Sequence, residues 1–503
     1  GLDLGSTNIK AVIYERDGTA VGLGSVPCET HYPQAGWAHY EPEHLWQQCL
    51  DVVRAAVSQI ARPERIVALS VTSFGEAGAL IDAHGQPTTN IIGWFDQRSR
   101  AQYERMVSQI DPDRLFQISG TQVQQIMSAC KIMWHREHEP EAFARSVMFL
   151  NAADYIAFRL CGVAAQSRSL GSRTGLMDLR AGDWSDELLE ICGIPRTFLR
   201  PIVDGGEPLG PVLPEIQSQT GLPAGTIVAV GGHDHPCGAL AAGAVHHGDF
   251  LDSMGTTECL FVAIDHPIDD PAMGHMGYTL GAHARGSFYT YGGLYTAGIC
   301  YEWFRTLAAS DVPHAELLAA AAAVPAGSLG VTFIPHLRLS NTPYPDSRVR
   351  GAFVGLTTDV ERATMLRAVL EGVAYEARAA TEPLFRFAGL PQPTDCTVIG
   401  GTARNQLLLE IKGTIARTRM HVLQVEEASA LGAAMLSGIA TGVYDSVHDA
   451  VHAVRRTADV LEPDTAMIDL YDQVFAQVYQ KLYPALHTYH HTVFDLFTGS
   501  TLS

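Results

Sequence analysis

Two short glycine turns rich in hydroxyl side chains constrain this chain more than any other feature. Asp3-Leu4-Gly5-Ser6-Thr7-Asn8 stands at the start, and Ser253-Met254-Gly255-Thr256-Thr257-Glu258 stands about 250 residues later. Each separates two apolar or alternating runs, with residues 9–14 after the first and 259–264 after the second. The pattern predicts strand, tight turn, strand. In such a turn the backbone N–H groups and the hydroxyls converge on one point, which suits a phosphate. A single Gly-Ser-Thr is ordinary hairpin punctuation. A pair this far apart predicts two domains that hold one polyphosphate from opposite sides.

The remaining patterning supports two copies of one α/β plan. Residues 9–15 and 19–28 form a hairpin about Arg16-Asp17-Gly18, a turn sequence suited to tight hairpins. Trp46, Cys49, Leu50, Val53, Val57 and Ile60 recur at helical spacing. Buried strands are expected at 66–72 and 79–81. In the second half, strands are expected at 250–253, 259–263, 287–291 and 396–399. A helix is expected over 361–378, opened by a capping box from Thr358 to Glu361, and a small-residue helix over 428–437. The boundary falls just after 231–248, giving domains 1–246 and 247–503, an internal duplication without visible sequence identity.

Charge and cysteine content narrow the partners. Lys and Arg total 34 against 54 Asp and Glu, a formal charge of −20. That surface repels nucleic acid and anionic lipid, although a small anion can still bind through local amides and a cation. The nine cysteines include no C-x-x-C pair and sit among apolar neighbours, as expected of reduced thiols in the cytoplasm. No apolar run reaches the ~18 residues of a spanning helix. Gly1 already lies inside the first expected strand, so a preceding stretch of that strand is expected.

Several residues are candidates for chemistry. Gly231-Gly232-His233-Asp234-His235 follows the expected strand 226–230, where α/β proteins place active sites. Asp234 there is a general base for a hydroxyl attacking phosphorus, or His233 and His235 are metal ligands on one side of a strand, or Asp234 merely caps a helix. Asp3 either holds Mg²⁺ through water or caps its own turn. Lys10 is a phosphate contact or a solvated lysine. Glu76 and the Trp94-Phe95-Asp96-Gln97-Arg98 segment suit a polyhydroxylated molecule, whose hydroxyls meet the polar groups and whose C–H face meets a ring. They equally suit a loop with a salt bridge and a core tryptophan. Gly400-Gly401-Thr402-Ala403-Arg404-Asn405 offers close backbone approach for a flat ring or an ordinary turn. The Tyr489-His490-His491 cluster is expected to be solvated surface.

In this order the elements resemble the FGGY carbohydrate kinases of the actin-like ATPase superfamily, over essentially the whole chain. The likeness rests on residues 1–10, Trp94-x-Asp96-x-Arg98, Lys131-Ile132-Met133-Trp134, Gly231-Gly232-His233-Asp234 and Gly255-Thr256-Thr257. It continues through 351–356, 367–372, Gly400-Gly401-x-Ala403-x-Asn405 and 428–432. The resemblance implies an α/β fold of two ribonuclease-H-like domains around a cleft, with ATP between them and the sugar mainly on the first. It implies Asp234 as catalytic base and Asp3 as the Mg²⁺-side carboxylate. It further implies Gly5, Ser6, Thr7, Asn8, Lys10, Gly255, Thr256 and Thr257 about the phosphates, and Gly400, Gly401, Ala403 and Asn405 about adenosine. Glu76, Trp94, Asp96, Arg98, Asp234 and His235 fall at the acceptor. A ketopentose such as xylulose is the expected acceptor, with a pentitol, a glycerol-like polyol or a deoxy-sugar as alternatives, and a homodimer is common in the family. An actin-like ATPase switch is the alternative of another class. Glu76 departs from the Met-His-Gly of xylulose kinases, and Gly75 from the Arg-Glu pair of glycerol kinases. His135 and Thr364 also depart from the signatures.

Overall fold

The computed structural model describes residues 1–122 and 124–498. The chain opens with strands β1 (Leu2–Leu4), β2 (Asn8–Tyr14) and β3 (Ala20–Pro27), then helix α1 (Pro42–Val57) and strand β4 (Ala68–Ser73). The spacing of Leu45, Trp46, Cys49, Leu50 and Val53 gives α1 one apolar face, which is buried. Gly24 lets that helix lie directly on β3, since a Cβ there would stand 2.0 Å from the Val52 carbonyl oxygen. Strands β5 (Pro208–Pro211) and β6 (Ile227–His233) complete a six-stranded sheet in the order β5-β6-β4-β1-β2-β3.

Helix α2 (Asp234–Ala242) leads to β7 (Phe250–Met254), β8 (Glu258–Ile264), β9 (Thr279–Ala282) and β10 (Phe288–Leu294). After the long helix α3 (Arg362–Phe387) come β11 (Asp395–Ile399), β12 (Arg419–Leu423), helix α4 (Ala428–Ala440), β13 (Ala458–Leu461) and the terminal helix α5 (Gln480–Thr498). The second sheet runs β9-β10-β8-β7-β11-β12-β13. Apart from the added edge strand β9, it repeats the first sheet strand for strand. β3-β2-β1-β4-β6-β5 and β10-β8-β7-β11-β12-β13 share the same parallel and antiparallel pairings. The expected duplication is therefore present in topology, with each glycine turn joining the equivalent pair of strands.

The halves exchange helices. Following the first sheet, α2 packs its Ala239 and Ala242 against Leu251, Phe261 and Ile399 of the second. Following the second sheet, α4 lies on the first, where Ser70 Oγ donates to the Ala433 carbonyl at 2.6 Å. Between them, Cys237 and Leu240 of α2 meet Leu431, Met435 and Leu436 of α4. Gly432 is needed at that crossing, because a Cβ would fall 1.8 Å from the Cys237 carbonyl oxygen. The order of layers is thus sheet, α4, α2, sheet.

Three local expectations differ from the structure. The strand foreseen at 79–81 forms as Gly78–Asp82 but pairs with Ser146–Asn151 in a separate two-stranded sheet. The capping box at Thr358 does not form. Helix α3 starts at Arg362 with Glu361 at its N-cap and no side-chain cap, while Thr358 donates to Asp359, so the threonine sits a turn too early. The same helix runs through Pro383 to Phe387, nine residues past its expected end at 378, with Leu384 and Phe385 buried in the second core. Among the described residues no helix is long and apolar enough to cross a membrane.

Candidate active site

Parallel pairing builds the site. Leu4 of β1 is level with Ser73 of β4, and Ser73 is level with His233 of β6. The carboxyl ends of three adjacent strands therefore deliver Asp3 and the first turn, Phe74-Gly75-Glu76, and His233-Asp234 to one edge, where α/β sheets bind ligands. In the second sheet β7 and β11 are parallel neighbours, so the Gly255 turn and the Gly400 turn share the matching edge. A cavity of about 140 Å³ runs from Asp234 and His235 to Leu251, Ser253, Cys259, Ile399 and Ser429, across both halves.

Both turns are tight. Gly5 N–H donates to the Asn8 carbonyl at 3.1 Å and Gly255 N–H to the Thr257 carbonyl at 2.9 Å. Ser6, Thr7, Thr256 and Thr257 are exposed, which leaves their hydroxyls free for a ligand. Lys412 clamps the second turn from behind by donating to Asp252 and, at 2.6 Å, to Glu258. Gly400 adopts φ +102°, and a Cβ there would meet the Met254 carbonyl oxygen at 2.3 Å. Thr402 Oγ1 joins the two turns by donating to the Gly255 carbonyl at 2.9 Å. Ala403 is buried, and Asn405 uses Oδ1 to cap the helix Gln406–Ala416 through Leu408 N–H at 3.1 Å.

Asp234 is the first residue of α2. Its Oδ1 accepts from His235 N–H at 2.7 Å and lies 3.2 Å from His233 Nε2. Burial pushes its pKa upward, against the pull of His235. Burial also pushes the His233 pKa well below the ordinary value, so that imidazole is neutral. His235 still reaches solvent; desolvation in the cleft works against its charge, but Cys259 and the Asp234 carboxylate outweigh it and raise its pKa. The three groups lie close enough to hold a cation. The expected pair of imidazoles on one strand does not form, however, because β6 ends at His233 and His235 belongs to the helix.

Asp3 is a largely buried carboxylate without a neutralising partner on one oxygen among the described residues. Its Oδ1 is buried and finds no hydrogen-bond partner among the described residues. Burial, Asp234 and Glu427 together push its pKa up to about 8. A divalent ion at that oxygen would relieve all three penalties. Lys10 takes a position that neither expectation named: its Nζ donates to both oxygens of Glu427 at 2.6 and 2.7 Å, tying β2 to the residue before α4.

Beside Asp234 and His233 stands Glu76, a non-glycine residue held at φ +54°. Strained backbone of this kind costs on the order of 1–3 kcal/mol and clusters at functional sites. Glu76 Oε1 accepts from Arg173 Nε at 2.6 Å and lies 2.5 Å from Nη2. Lys131 donates to the Glu76 carbonyl, and burial drives its pKa down to about 7. Arg173 also lies over the Tyr291 ring at 5.6 Å, and its Nη1 is buried without a partner among the described residues. Gly75 admits this crowding, since a Cβ would touch His233 Nε2 at 3.0 Å.

Asp96 and Arg98 form the salt bridge foreseen for an ordinary loop. Asp96 is buried, accepts from Arg98 Nη2 at 2.8 Å and from Ala38 N–H, and Arg98 lies over Trp37 at 4.2 Å. Trp94 packs partly against the first core. Sequence reading missed Arg173, Lys131 and Tyr291 as site residues, although Lys131 opens one of the quoted motifs. His135 is buried and bonded to Glu139 at 2.8 Å, a helix contact one turn apart. The terminal histidines also differ from expectation. Only Tyr489 is exposed; His490 is 1% exposed and His491 lies 2.8 Å from Asp346, because α5 turns that face onto the second domain.

Two duplicated sheets with exchanged helices, phosphate-ready turns at matching edges and a carboxylate between them define a two-domain sugar-kinase architecture. Residues 1–241 match the FGGY family of carbohydrate kinases, N-terminal domain, and residues 252–441 match its C-terminal domain. The chain is 30% identical over 484 residues to a xylulose kinase of Bacillus subtilis, covering 96% of each. It is 29% identical over 452 residues to a glycerol kinase of Bordetella parapertussis, covering 87% of this chain and 88% of that protein. The crystal structure of xylulose kinase from Rhodospirillum rubrum superposes with a TM-score of 0.90 at 28% identity, over 98% of this chain and 99% of that one. The chain belongs to the FGGY family and is a carbohydrate kinase.

Proposed function

We propose that the enzyme transfers the γ-phosphoryl group of ATP to a hydroxyl of a ketopentose, xylulose in the first instance, in the cytoplasm, with Asp234 as general base. The supporting observation is the position of Asp234: it heads α2 between the two phosphate-ready edges, opens into the shared cavity, and keeps one carboxylate oxygen outside its bond to His235. Its raised pKa makes it a better proton acceptor than an exposed aspartate. Neutral His233 and the first turn of α2 orient the carboxylate. The Ser6, Thr7, Thr256 and Thr257 hydroxyls and the amides of both turns would hold the polyphosphate.

Asp3 fits the Mg²⁺ that accompanies ATP, through its unpartnered buried oxygen. Such an ion supplies charge neutralisation between the phosphates. Glu76 and the free Nη1 of Arg173 offer an acceptor and a donor to vicinal hydroxyls, while Tyr291 and Trp94 offer rings to their C–H faces. The Gly400-Gly401 turn, with Ala403 and Asn405, leaves backbone open to an adenine ring.

The test is Asp234→Asn, which keeps the oxygen that caps His235 N–H and removes the base. Turnover in an ADP-release assay should fall by about 10²–10⁴-fold, while ADP binding by calorimetry stays within a few fold. Turnover near wild type would refute the assignment. Running the assay over ketopentoses, pentitols, glycerol and gluconate ranks the acceptors. A kcat/KM for glycerol above that for xylulose would replace the ketopentose reading.

A further inference from the structure

Helix α5 brings a second set of ligand-type side chains together, far in sequence from the catalytic groups. His487 and His491 are one helical turn apart, and their rings stand 3.9 Å apart between centroids. Facing them is Asp346, in the loop between strands Thr332–Ile334 and Ala352–Val354. One ligand atom from each of the three residues lies within 4.8 Å of the other two. All three are partly buried.

We propose that Asp346, His487 and His491 form a binding site for a zinc-class divalent cation that pins α5 to the second domain. The carboxylate is already oriented as a ligand. Asp346 Oδ2 lies 2.8 Å from His491 Nε2 and accepts from Tyr483 OH at 3.1 Å. Its Oδ1 accepts from Arg348 N–H at 2.9 Å. Such outer contacts fix a ligating carboxylate and are a regular part of metal sites. Two imidazoles and one carboxylate select Zn²⁺ or its neighbours, because Mg²⁺ prefers an all-oxygen, hydrated shell. With bonds of about 2.0–2.1 Å, a tetrahedral ion holds its donors a little over 3 Å apart. The His491–Asp346 pair therefore opens by a few tenths of an ångström while His487 closes on it. A water molecule would take the fourth place.

A plain ion pair accounts for His491 and Asp346, and His487 packs its ring on Tyr483 and His491, which gives its ring nitrogens no role. A metal accounts for all three. The site would tie α5 to the loop carrying Asp346, which is itself bonded to β10 through Thr342 Oγ1, donating to the Gly293 carbonyl at 3.1 Å.

The experiment uses the full chain, stripped with chelator and kept in excess Mg²⁺. It is titrated with ZnCl₂ by calorimetry and with CoCl₂ by visible spectroscopy. Asp234→Asn serves as the background, so that His233 and His235 cannot be mistaken for this site. One equivalent of Zn²⁺ should bind, Co²⁺ should give the intense visible bands of a four-coordinate ion, and Tm should rise with Zn²⁺. His487→Ala should weaken Zn²⁺ binding by about 100-fold or more and abolish both the bands and the Tm rise. His491→Gln, which keeps a hydrogen bond to Asp346, should do the same. In the otherwise wild-type chain, His487→Ala should leave kinase activity with Mg²⁺-ATP unchanged. Equal Zn²⁺ binding with and without His487, or no binding in excess of Mg²⁺, would overturn the proposal.

Discussion

Replacing Glu76 by Gln takes the charge from one member of a dry ion pair and leaves Arg173 buried with a neutral acceptor. The Arg173 and Glu76 side chains are 7% and 9% exposed, and two guanidinium nitrogens sit within 2.6 Å of one carboxylate oxygen. Breaking a buried pair from one side costs about 3–5 kcal/mol, since the abandoned charge stays out of water. Glutamine keeps one acceptor oxygen, which places the expected cost near 3 kcal/mol, the lower end of that range. At roughly 2–4 °C per kcal/mol for domains of this size, Tm should fall by about 6–12 °C. Arg173→Met, which leaves the carboxylate stranded instead, should cost as much.

The double variant discriminates. With both charges gone neither desolvation penalty remains, so its loss should fall short of the sum of the singles by about 2 kcal/mol or more. Calorimetric unfolding of the four proteins supplies the cycle. Steady-state kinetics supplies the functional half: if the pair belongs to the proposed acceptor site, KM for the sugar should rise in both singles while KM for ATP holds. A Tm loss under ~3 °C in either single variant, below the ~1 kcal/mol that a solvated pair is worth, would refute the reasoning. Strict additivity would refute it as well.

Lys10→Met keeps the aliphatic stem and removes the tie to Glu427. For a half-buried pair the stability loss should be on the order of 1 kcal/mol, and Glu427→Gln should match it. A large rise in KM for ATP with no change in Tm would instead make Lys10 a phosphate contact. Asp154 supplies a pH test. Burial raises its pKa from 3.8 to about 7 in the folded chain. A carboxyl whose folded pKa is raised binds protons more tightly when folded, so its contribution to stability is present below pH ~4 and is lost as pH climbs to ~7. Tm measured across that window should therefore carry a downward component that Asp154→Asn removes. An unchanged slope in Asp154→Asn would show that the carboxylate is solvated.

What could be read from the sequence was local. The alternation of β2 and β3, the spacing of Leu45, Trp46 and Cys49 in α1, and the two glycine turns are properties of contiguous residues, and each appears where expected. The ordered motifs carried the family because their sequence order fixes the strand order. Glu76 was legible as a carboxylate in a loop, whereas its partner Arg173 lies 97 residues away in sequence and no local period announces it. The same holds for Lys131. Asp96 and Arg98 were legible as a pair, whereas the Ala38 N–H and Trp37 that close over them come from a segment some 60 residues earlier. His490 looked solvated because a single helix shows its two faces only when something covers one of them.

The exchange of α2 and α4 was also invisible in sequence, and it explains how one carboxylate can serve two domains. Asp234 begins the helix that covers the second sheet, and its carbonyl accepts from Ser429 Oγ of α4 at 3.3 Å. The proposed base therefore sits on the seam between the layers, while the two glycine turns hang from sheets on either side. At Gly432 and Cys237 the helix backbones lie too close to admit a side chain. A rotation of the sheets about the α2–α4 contact would change the gap between the turns more than it displaces Asp234. In the proposed reaction, a rotation of that kind would expel water from around the γ-phosphate while leaving Asp234 beside the attacking hydroxyl.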